Sequence, residues 1–251
     1  MAIGLYIIGD EILSGRRQDG HFSKVLSLLT ERGLQLAWVS YLGDERERLI
    51  EAFRRSLATD DIVFSCGGIG VTPDDHTRQA AAAAQGVECV LHPEAEAEIR
   101  ARFGAETTEN RLRLGEFPAG SAIIPNPFNR IPGFSCGHHH FVPGFPEMAW
   151  PMIEWLLDHA YRGLHHTTAW RESSVFVPDA HESRLLDLME SIQRVHGVAV
   201  FSLPSFGNAQ RPYPHIELGA KGEPSNVAAA MAAMRHELML RGLKVQEAAD
   251  R

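Results

Sequence analysis

Residues 65–77 carry the side chains and the spacing best suited to bind an anion. Gly67, Gly68 and Gly70 directly follow a short apolar run and precede a stretch of helical character. Because glycine has no Cβ, a ligand can approach this backbone closely. The helix that follows offers unpaired N–H groups and the positive end of its dipole. A phosphate site is therefore predicted here, although the segment lacks both the lysine of a Walker loop and the spacing G-x-G-x-x-G.

Two threonines and two carboxylates complete this segment. Thr72 and Thr77 flank Asp74 and Asp75, and we expect both threonines to take part in phosphate binding. Two carboxylates beside a phosphate would repel it unless a cation intervenes, and Mg²⁺ is held in proteins by one or two carboxylates plus substrate phosphates. One aspartate is expected to cap the helix, and the other to serve the ligand.

Further carboxylates follow the two preceding predicted strands. Asp10 and Glu11 come after the first strand, and Asp44 comes after the second. In an open parallel sheet, ligands bind beyond the carboxyl ends of the strands, where all these loops would meet. The predicted ligands of Mg²⁺ or another divalent metal are therefore Asp10, Glu11, Asp44 and Asp75.

The elements that must position these residues alternate between strands and helices. Apolar runs predict strands, and apolar residues at helical spacing predict helices. In order, the predicted elements are strand 3–8, helix 22–29, strand 34–42, helix 49–57, strand 61–66, helix 77–84, helix 93–103, late strands at 121–125 and 139–144, and a helix at 147–162 with Pro151 in its first turn. This alternation predicts an α/β fold, a three-layer α/β/α sandwich around a mostly parallel sheet.

The pattern changes near residue 164. The elements predicted beyond it are strand 168–177, helix 182–195, strand 198–203, strand 215–219 and helix 224–242. They predict a small C-terminal β-α-β-β-α module of the α+β class. We therefore predict two domains, 1–164 and 165–251, with Met231 and Met234 in the core of the second.

The net charge, the apolar runs and the cysteine spacing argue against several classes of function. A net charge of −8 argues against non-specific binding to nucleic acid or to an anionic membrane. No segment approaches about 18 consecutive apolar residues, and the start of the chain lacks the basic region of a signal peptide. Cys66, Cys89 and Cys136 are widely spaced and form no C-x-x-C pair, so a reducing cytoplasm is expected.

Two other motifs are interpreted as structural. Gly133, Ser135 and Gly137 match G-x-S-x-G, but Pro132 precedes them and an extended run follows, so a hairpin turn is predicted instead of a nucleophile elbow. The histidines at 138–140 would alternate between the two faces of a strand, so only two could converge. A cluster at the end of the sheet is predicted there, not a metal site.

Three ordered segments resemble a known family. They are GDEILSGRRQD at 9–19, LGDE at 42–45 and GGIGVTPDDHT at 67–77. They are similar to the molybdopterin-binding MoaB/MogA fold. The similarity is greatest to the N-terminal region of CinA-type proteins and to the related domain of eukaryotic FAD synthases.

Two later segments extend the resemblance to about residues 3–160. IPNPFNRIPGF at 124–134 and VPGFPEM at 142–148 are similar to signatures of the same branch. The C-terminal module resembles the second domain of CinA proteins. The amidohydrolase domain of full-length CinA is not matched, so its deamidase activity is not expected.

This resemblance implies a site for a phosphorylated pterin or a nucleotide. In MogA-like proteins, aspartates matching Asp44 and Asp75 handle molybdopterin, so these two are expected to be catalytic. CinA-like members are linked to metal-dependent hydrolysis of ADP-ribose-type pyrophosphates, and the FAD synthase domain to FAD hydrolysis. The match also assigns Asn126 to the ligand, although its proline-framed loop with Asn129 and Arg130 is otherwise typical of a rigid turn.

The expected functions fall into three classes. The first is a metal-dependent nucleotide pyrophosphatase, and the second is a non-catalytic pterin- or nucleotide-binding protein linked to molybdenum cofactor biosynthesis. Two departures from the family pattern favour the second: Val71 stands where a proline is usual, and Asp19-Gly20-His21 replaces Asp-Thr-Asn. The third is an oligomeric scaffold. In each case relatives lead us to expect a homo-oligomer, a dimer or trimer, with no nucleic-acid or membrane partner.

Overall fold

The chain divides into two compact units, Met1–His165 and His166–Arg251. A computed structural model describes residues 1–167 and 171–248. Each unit has a sheet and a hydrophobic core of its own. Over these two described stretches, no helix combines the length and the apolar character needed to cross a bilayer.

The first unit is built from eight strands and seven α-helices within its described residues. The strands are β1 Ile3–Ile8, β2 Trp38–Leu42, β3 Ile62–Cys66, β4 Cys89–Leu91, β5 Glu116–Pro118, β6 Ala122–Ile124, β7 Gly133–Cys136 and β8 His139–Val142. The helices are α1 Asp10–Leu13, α2 His21–Thr30, α3 Arg46–Leu57, α4 Thr77–Gln85, α5 Pro93–Phe103, α6 Glu109–Leu112 and α7 Pro146–His159.

Six of these strands form one sheet, in the order β2-β1-β3-β8-β7-β6. β1 pairs in parallel with β2 and with β3, and β3 pairs in parallel with β8. β7 runs antiparallel to β8, and β6 runs antiparallel to β7. The predicted mostly parallel sheet is confirmed, so the carboxyl ends of four neighbouring strands lie at one edge.

Helices cover both faces of this sheet. Along β1, Ile3, Leu5 and Ile7 join the core under α2 and α7, whereas Tyr6 and Ile8 join the core under α3, α4 and α5. This division follows from the two-residue period of a strand, whose successive side chains point to opposite faces. The three-layer sandwich is confirmed, with the sheet as its middle layer.

Several predicted boundaries were wrong. β2 begins at Trp38, so residues 34–37 are not strand. α7 begins at Pro146, where a proline needs no N–H partner, and Pro151 lies inside the helix instead of in its first turn. Residues 182–184 form a 3₁₀ turn that precedes the helix predicted over 182–195.

The second unit is a four-stranded antiparallel sheet, in the order β10-β11-β9-β12. Its elements are β9 Arg171–Pro178, α8 Leu186–His196, β10 Ala199–Ser205, β11 His215–Gly222, α9 Pro224–Leu240 and β12 Gln246–Glu247. The predicted β-α-β-β-α order is found, and β12 is an added strand too short to be predicted. Residues 168–170 of the predicted first strand lie outside the described residues. Met231 and Met234 are buried in the core, as predicted.

Candidate functional site

Four loops leave the sheet at the carboxyl ends of its parallel strands. They begin at Gly9, Gly43, Gly67 and Pro143. The Gly9 N–H donates to Leu42 O at 3.0 Å, and the Gly67 N–H donates to Val142 O at 3.0 Å, so each loop is tied to the neighbouring strand. A Cβ on Gly144 would lie 3.4 Å from Gly67 Cα, which places the loop after β8 directly against residues 67–70, here called the glycine segment. We call this edge the loop rim.

Two hydrogen bonds join Asp10 and Asp44 at the loop rim. The Asp10 N–H donates to Asp44 Oδ2 at 2.9 Å, and the Asp44 N–H donates to Asp10 Oδ1 at 3.2 Å. A Cβ on Gly43 would lie 2.5 Å from Asp10 Oδ1, so a side chain at position 43 would displace the Asp10 carboxylate from this pairing. In the described part of the chain, Asp10 Oδ2 and Asp44 Oδ1 accept no hydrogen bond. Each carboxylate therefore keeps one oxygen for a ligand.

A cleft of about 620 Å³ opens beside this pair, and Asp74 and His76 also line it. Burial raises the pKa of the Asp44 carboxyl above its usual value. The N–H of Asp10 opposes this shift, while the negative charges of Asp10, Glu11 and Asp74 add to it. Negative charge is thus concentrated at the end of the loop rim that carries Asp10, Asp44 and Asp74. A bound cation would reduce the repulsion between these carboxylates.

The carboxylates fit a cation that brings its own further ligands. Among the residues that the structure describes, no group of three or more His, Cys, Asp or Glu side chains could hold a metal ion alone. Mg²⁺, however, needs only one or two carboxylates when waters and substrate phosphates supply the rest of its octahedron. The free oxygens of Asp10 and Asp44 meet that need, because carboxylate oxygens are the hard ligands that Mg²⁺ prefers.

Glu11 and Asp75 do not line the cleft. A Cβ on Gly9 would meet Glu11 Oε2 at 2.7 Å, so the Glu11 side chain folds back over its own loop. Asp75 Oδ2 accepts the Thr72 N–H at 2.8 Å and the Thr72 hydroxyl. Both of these predicted metal ligands therefore have local roles in the structure, and Asp74, not Asp75, is the aspartate of the pair that faces Asp44.

The glycine segment is held in shape by its own side chains. Gly67 and Gly68 have φ values of 112° and 68°, in the region that favours glycine. The Thr77 hydroxyl donates to Gly67 O at 3.0 Å, and the Thr77 N–H donates to Gly68 O at 3.0 Å. Gly70 is packed against the carboxylate of Asp75. The glycines and threonines of residues 67–77 thus lie in one hydrogen-bonded loop, in which the buried Thr77 braces the backbone.

Replacing Thr77 by valine is expected to lower the free energy of unfolding by about 1–2 kcal/mol, because the side chain is fully buried and Gly67 O would lose its hydroxyl donor. Urea denaturation followed by tryptophan fluorescence measures the change. Thr30→Val is the matched control: its exposed hydroxyl bonds only to Leu26 O within α2, so a shift within about 0.5 kcal/mol is expected. Equal effects of the two variants would contradict the bracing role.

Asn126 lies away from the cleft, in a second pocket of about 350 Å³. Its Nδ2 donates to Asn129 Oδ1 at 2.8 Å and to Ile131 O at 2.9 Å, and its Oδ1 accepts the Phe128 N–H at 3.0 Å. The side chain is therefore fully used in holding the proline-framed loop. Arg130, in the same loop, forms an ion pair with Glu98 at 2.8 Å.

Arg78 is a buried residue of the site that the sequence interpretation missed. Its guanidinium donates to Gly70 O at 2.6 Å, to Glu116 O at 3.1 Å and to Arg113 O, so it links the glycine segment to β5. Burial lowers the pKa of this arginine. A signal was present: Arg78 precedes Ala81 and Ala82 at helical spacing, on the face of α4 that packs inward.

The G-x-S-x-G and histidine motifs form a hairpin, as predicted. β7 and β8 are antiparallel and joined across Gly137 and His138. His138 Nδ1 and His140 Nε2 both lie within 3.0 Å of the Tyr161 hydroxyl, whereas His139 points to the opposite face. Ser135 Oγ bonds to His140 Nδ1 at 2.8 Å as a cross-strand pair.

Comparison with known proteins places this architecture in a family. The family model described as "Probable molybdopterin binding domain" matches residues 4–162. A protein of Caldivirga maquilingensis is 29% identical over 225 residues, which cover 86% of each chain. A CinA-like protein of Anaeromyxobacter sp. (strain Fw109-5) is 31% identical over 238 residues, covering 90% of this chain and 56% of the relative. The chain thus spans about half of that CinA-like protein.

A solved structure supports the same assignment. The protein CinA of unknown function from Thermoplasma acidophilum is 28% identical and superposes with a TM-score of 0.58, covering 63% of this chain and 98% of its own. With more than half of its length matched by the family model, this chain belongs to the molybdopterin-binding domain family and is related to CinA proteins.

Proposed function

We propose that this chain binds a phosphorylated pterin or nucleotide at the loop rim together with a divalent metal, and that it hydrolyses a nucleotide pyrophosphate bond of the ADP-ribose or FAD type. The observation that carries the proposal is the Asp10–Asp44 pair. Two neighbouring strands deliver two carboxylates, reciprocal backbone hydrogen bonds fix them, and each keeps a free oxygen toward the cleft.

Different groups at the loop rim would bind the metal and the phosphate. Asp10 and Asp44 would hold the metal, which when bound neutralises phosphate charge and lowers the pKa of a coordinated water. The first N–H of α4, that of Thr77, already donates to Gly68 O, so α4 would attract a phosphate oxygen through the positive end of its dipole. Arg78 and Thr77 hold the glycine segment in place beneath that phosphate.

A second candidate is a non-catalytic binding protein that serves molybdenum cofactor biosynthesis. The engagement of Asp75 with Thr72 favours it, because only two of the four predicted metal ligands, Asp10 and Asp44, line the cleft. Such a protein would bind the ligand's phosphate without activating a water.

Incubation with ADP-ribose, FAD and NAD, each with Mg²⁺, Mn²⁺ or Co²⁺, tests the proposal by chromatographic detection of AMP. We expect AMP release that requires the metal and stops with a chelator. If no metal gives AMP while calorimetry shows binding of the same ligands, the non-catalytic function is correct. If there is neither AMP nor binding of nucleotide or pterin phosphates, both functions are wrong.

A further inference from the structure

Phe145 is a large aromatic side chain left exposed at the loop rim. It precedes α7 in the loop after β8, and 52% of its surface is accessible. Its neighbour Gly144 lies against Gly67, so the backbone that carries the ring is next to the glycine segment. An exposed phenylalanine next to a ligand site offers apolar area that a bound ring could cover.

Arg17 lies over this ring. Its guanidinium carbon is 5.9 Å from the centroid of Phe145, near the outer limit of a cation–π contact. The Arg17 N–H donates to Glu11 O at 3.0 Å, which ties the arginine to the loop after β1. At this separation the ring is held only weakly. Arg17 makes no ion pair with a carboxylate among the described residues, so it also supplies positive charge beside the ring.

The order of the strands sets the distance between this ring and the carboxylates. Asp10 follows β1 and Phe145 follows β8, and β3 lies between these two strands. Two strand spacings amount to about 10 Å. A bare phosphate or pyrophosphate on the metal cannot extend that far, but a diphosphate attached to a flat heterocycle can.

We infer that Phe145, with Arg17, is the platform on which the flat ring of the ligand stacks, so that the site selects diphosphates of an adenine or pterin heterocycle over the bare diphosphate. This inference rests on the proposed function for the phosphate and the metal. Asp10 and Asp44, at the acidic end of the loop rim, would bind the metal with its diphosphate. Phe145, at the other end, would stack on the ring. Phe145 is thereby a specificity-determining residue.

Calorimetry of the full chain with Mg²⁺ and three ligands tests this assignment: pyrophosphate, ADP, and 6-hydroxymethyl-7,8-dihydropterin diphosphate. At least one of the two ring-bearing ligands is expected to bind about ten-fold or more tightly than pyrophosphate, a typical stacking contribution. Phe145→Ala should remove most of that advantage and leave pyrophosphate binding unchanged, and Phe145→Trp should keep it. The ligand that is favoured distinguishes an adenine site from a pterin site.

Phe206→Ala is the matched control, since Phe206 is 99% exposed and belongs to the second unit; it should leave all three affinities unchanged. Circular dichroism confirms that each variant is folded. The inference is overturned, with the proposed function intact, if pyrophosphate binds as tightly as both ring-bearing ligands. It is also overturned if Phe145→Ala weakens all three equally or none of them. If the wild type binds none of the three, the phosphate site is absent, and the proposed function fails with the inference.

Discussion

Replacing Asp44 by asparagine is expected to reduce metal-dependent hydrolysis or ligand binding by about 100-fold or more, equivalent to roughly 2.7 kcal/mol. The substitution removes the charge and the free carboxylate oxygen, which the metal needs. The amide oxygen of asparagine can still accept the Asp10 N–H, so the geometry of the loop is preserved. Initial rates of AMP release, or the affinity of ADP for the protein with and without Mg²⁺, measure the effect.

Asp60→Asn is the control for this experiment. Asp60 is exposed and precedes β3 at the edge of the sheet opposite the loop rim, so its replacement should leave the metal-dependent signal unchanged. An Asp44→Asn protein that keeps its full Mg²⁺ dependence would show that the metal is not held by Asp44. A loss of binding in the absence of metal would instead indicate a damaged loop.

The position of the loop rim could be predicted from the sequence because it depends on repeating physical rules. The continuous apolar runs at residues 3–8 and 61–66 predict buried strands, and the loops that follow parallel strands must leave the sheet at one edge. The sequence therefore predicts that Asp10, Asp44 and Gly67 lie near one another. That expectation required only the direction of the strands, not the conformation of each loop.

The choice between Asp74 and Asp75 could not be made in the same way. Both follow the same proline, and either could face the cleft. The choice is decided by the hydrogen bonds of Asp75 to Thr72, which depend on backbone angles within an irregular turn. Arg78 was missed for a related reason, because a buried arginine is stable only when carbonyl partners surround it, and two of its partners come from residues 113 and 116.

The stability of the first unit is expected to fall by about 2 kcal/mol for each of His139 and His140 as the pH drops from 6.5 to 5. Burial, reinforced by neighbouring histidines, lowers the pKa of His139 to about 4 and that of His140 to about 3. In the unfolded chain both would titrate near 6.5. Below that pH the unfolded state binds more protons than the folded state, so the contribution is complete above pH 6.5 and is lost on acidification.

Urea denaturation between pH 7.5 and 5 measures how steeply the free energy of unfolding changes with pH, which we call the pH slope. Tryptophan fluorescence is the probe because Trp38, Trp150 and Trp155 belong to the first unit. Ion-paired carboxylates add little in this window, since their arginine partners lower the pKa of Asp158 and Glu98 below their usual values. A carboxyl whose pKa is raised by folding, such as that of Asp44, has the opposite effect, because it increases the free energy of unfolding as the pH falls.

A double variant separates the histidine contribution from these other groups. His139 Nε2 is bonded to Ser56 Oγ at 2.9 Å, so His139→Leu with Ser56→Ala removes the titrating ring without leaving an unpaired hydroxyl. About half of the pH slope should disappear. His159→Gln, at an exposed position of α7, should keep the full slope. If the double variant retains the wild-type slope, His139 is protonated in the folded state, and water must reach the face of β8 that the α3 side chains cover.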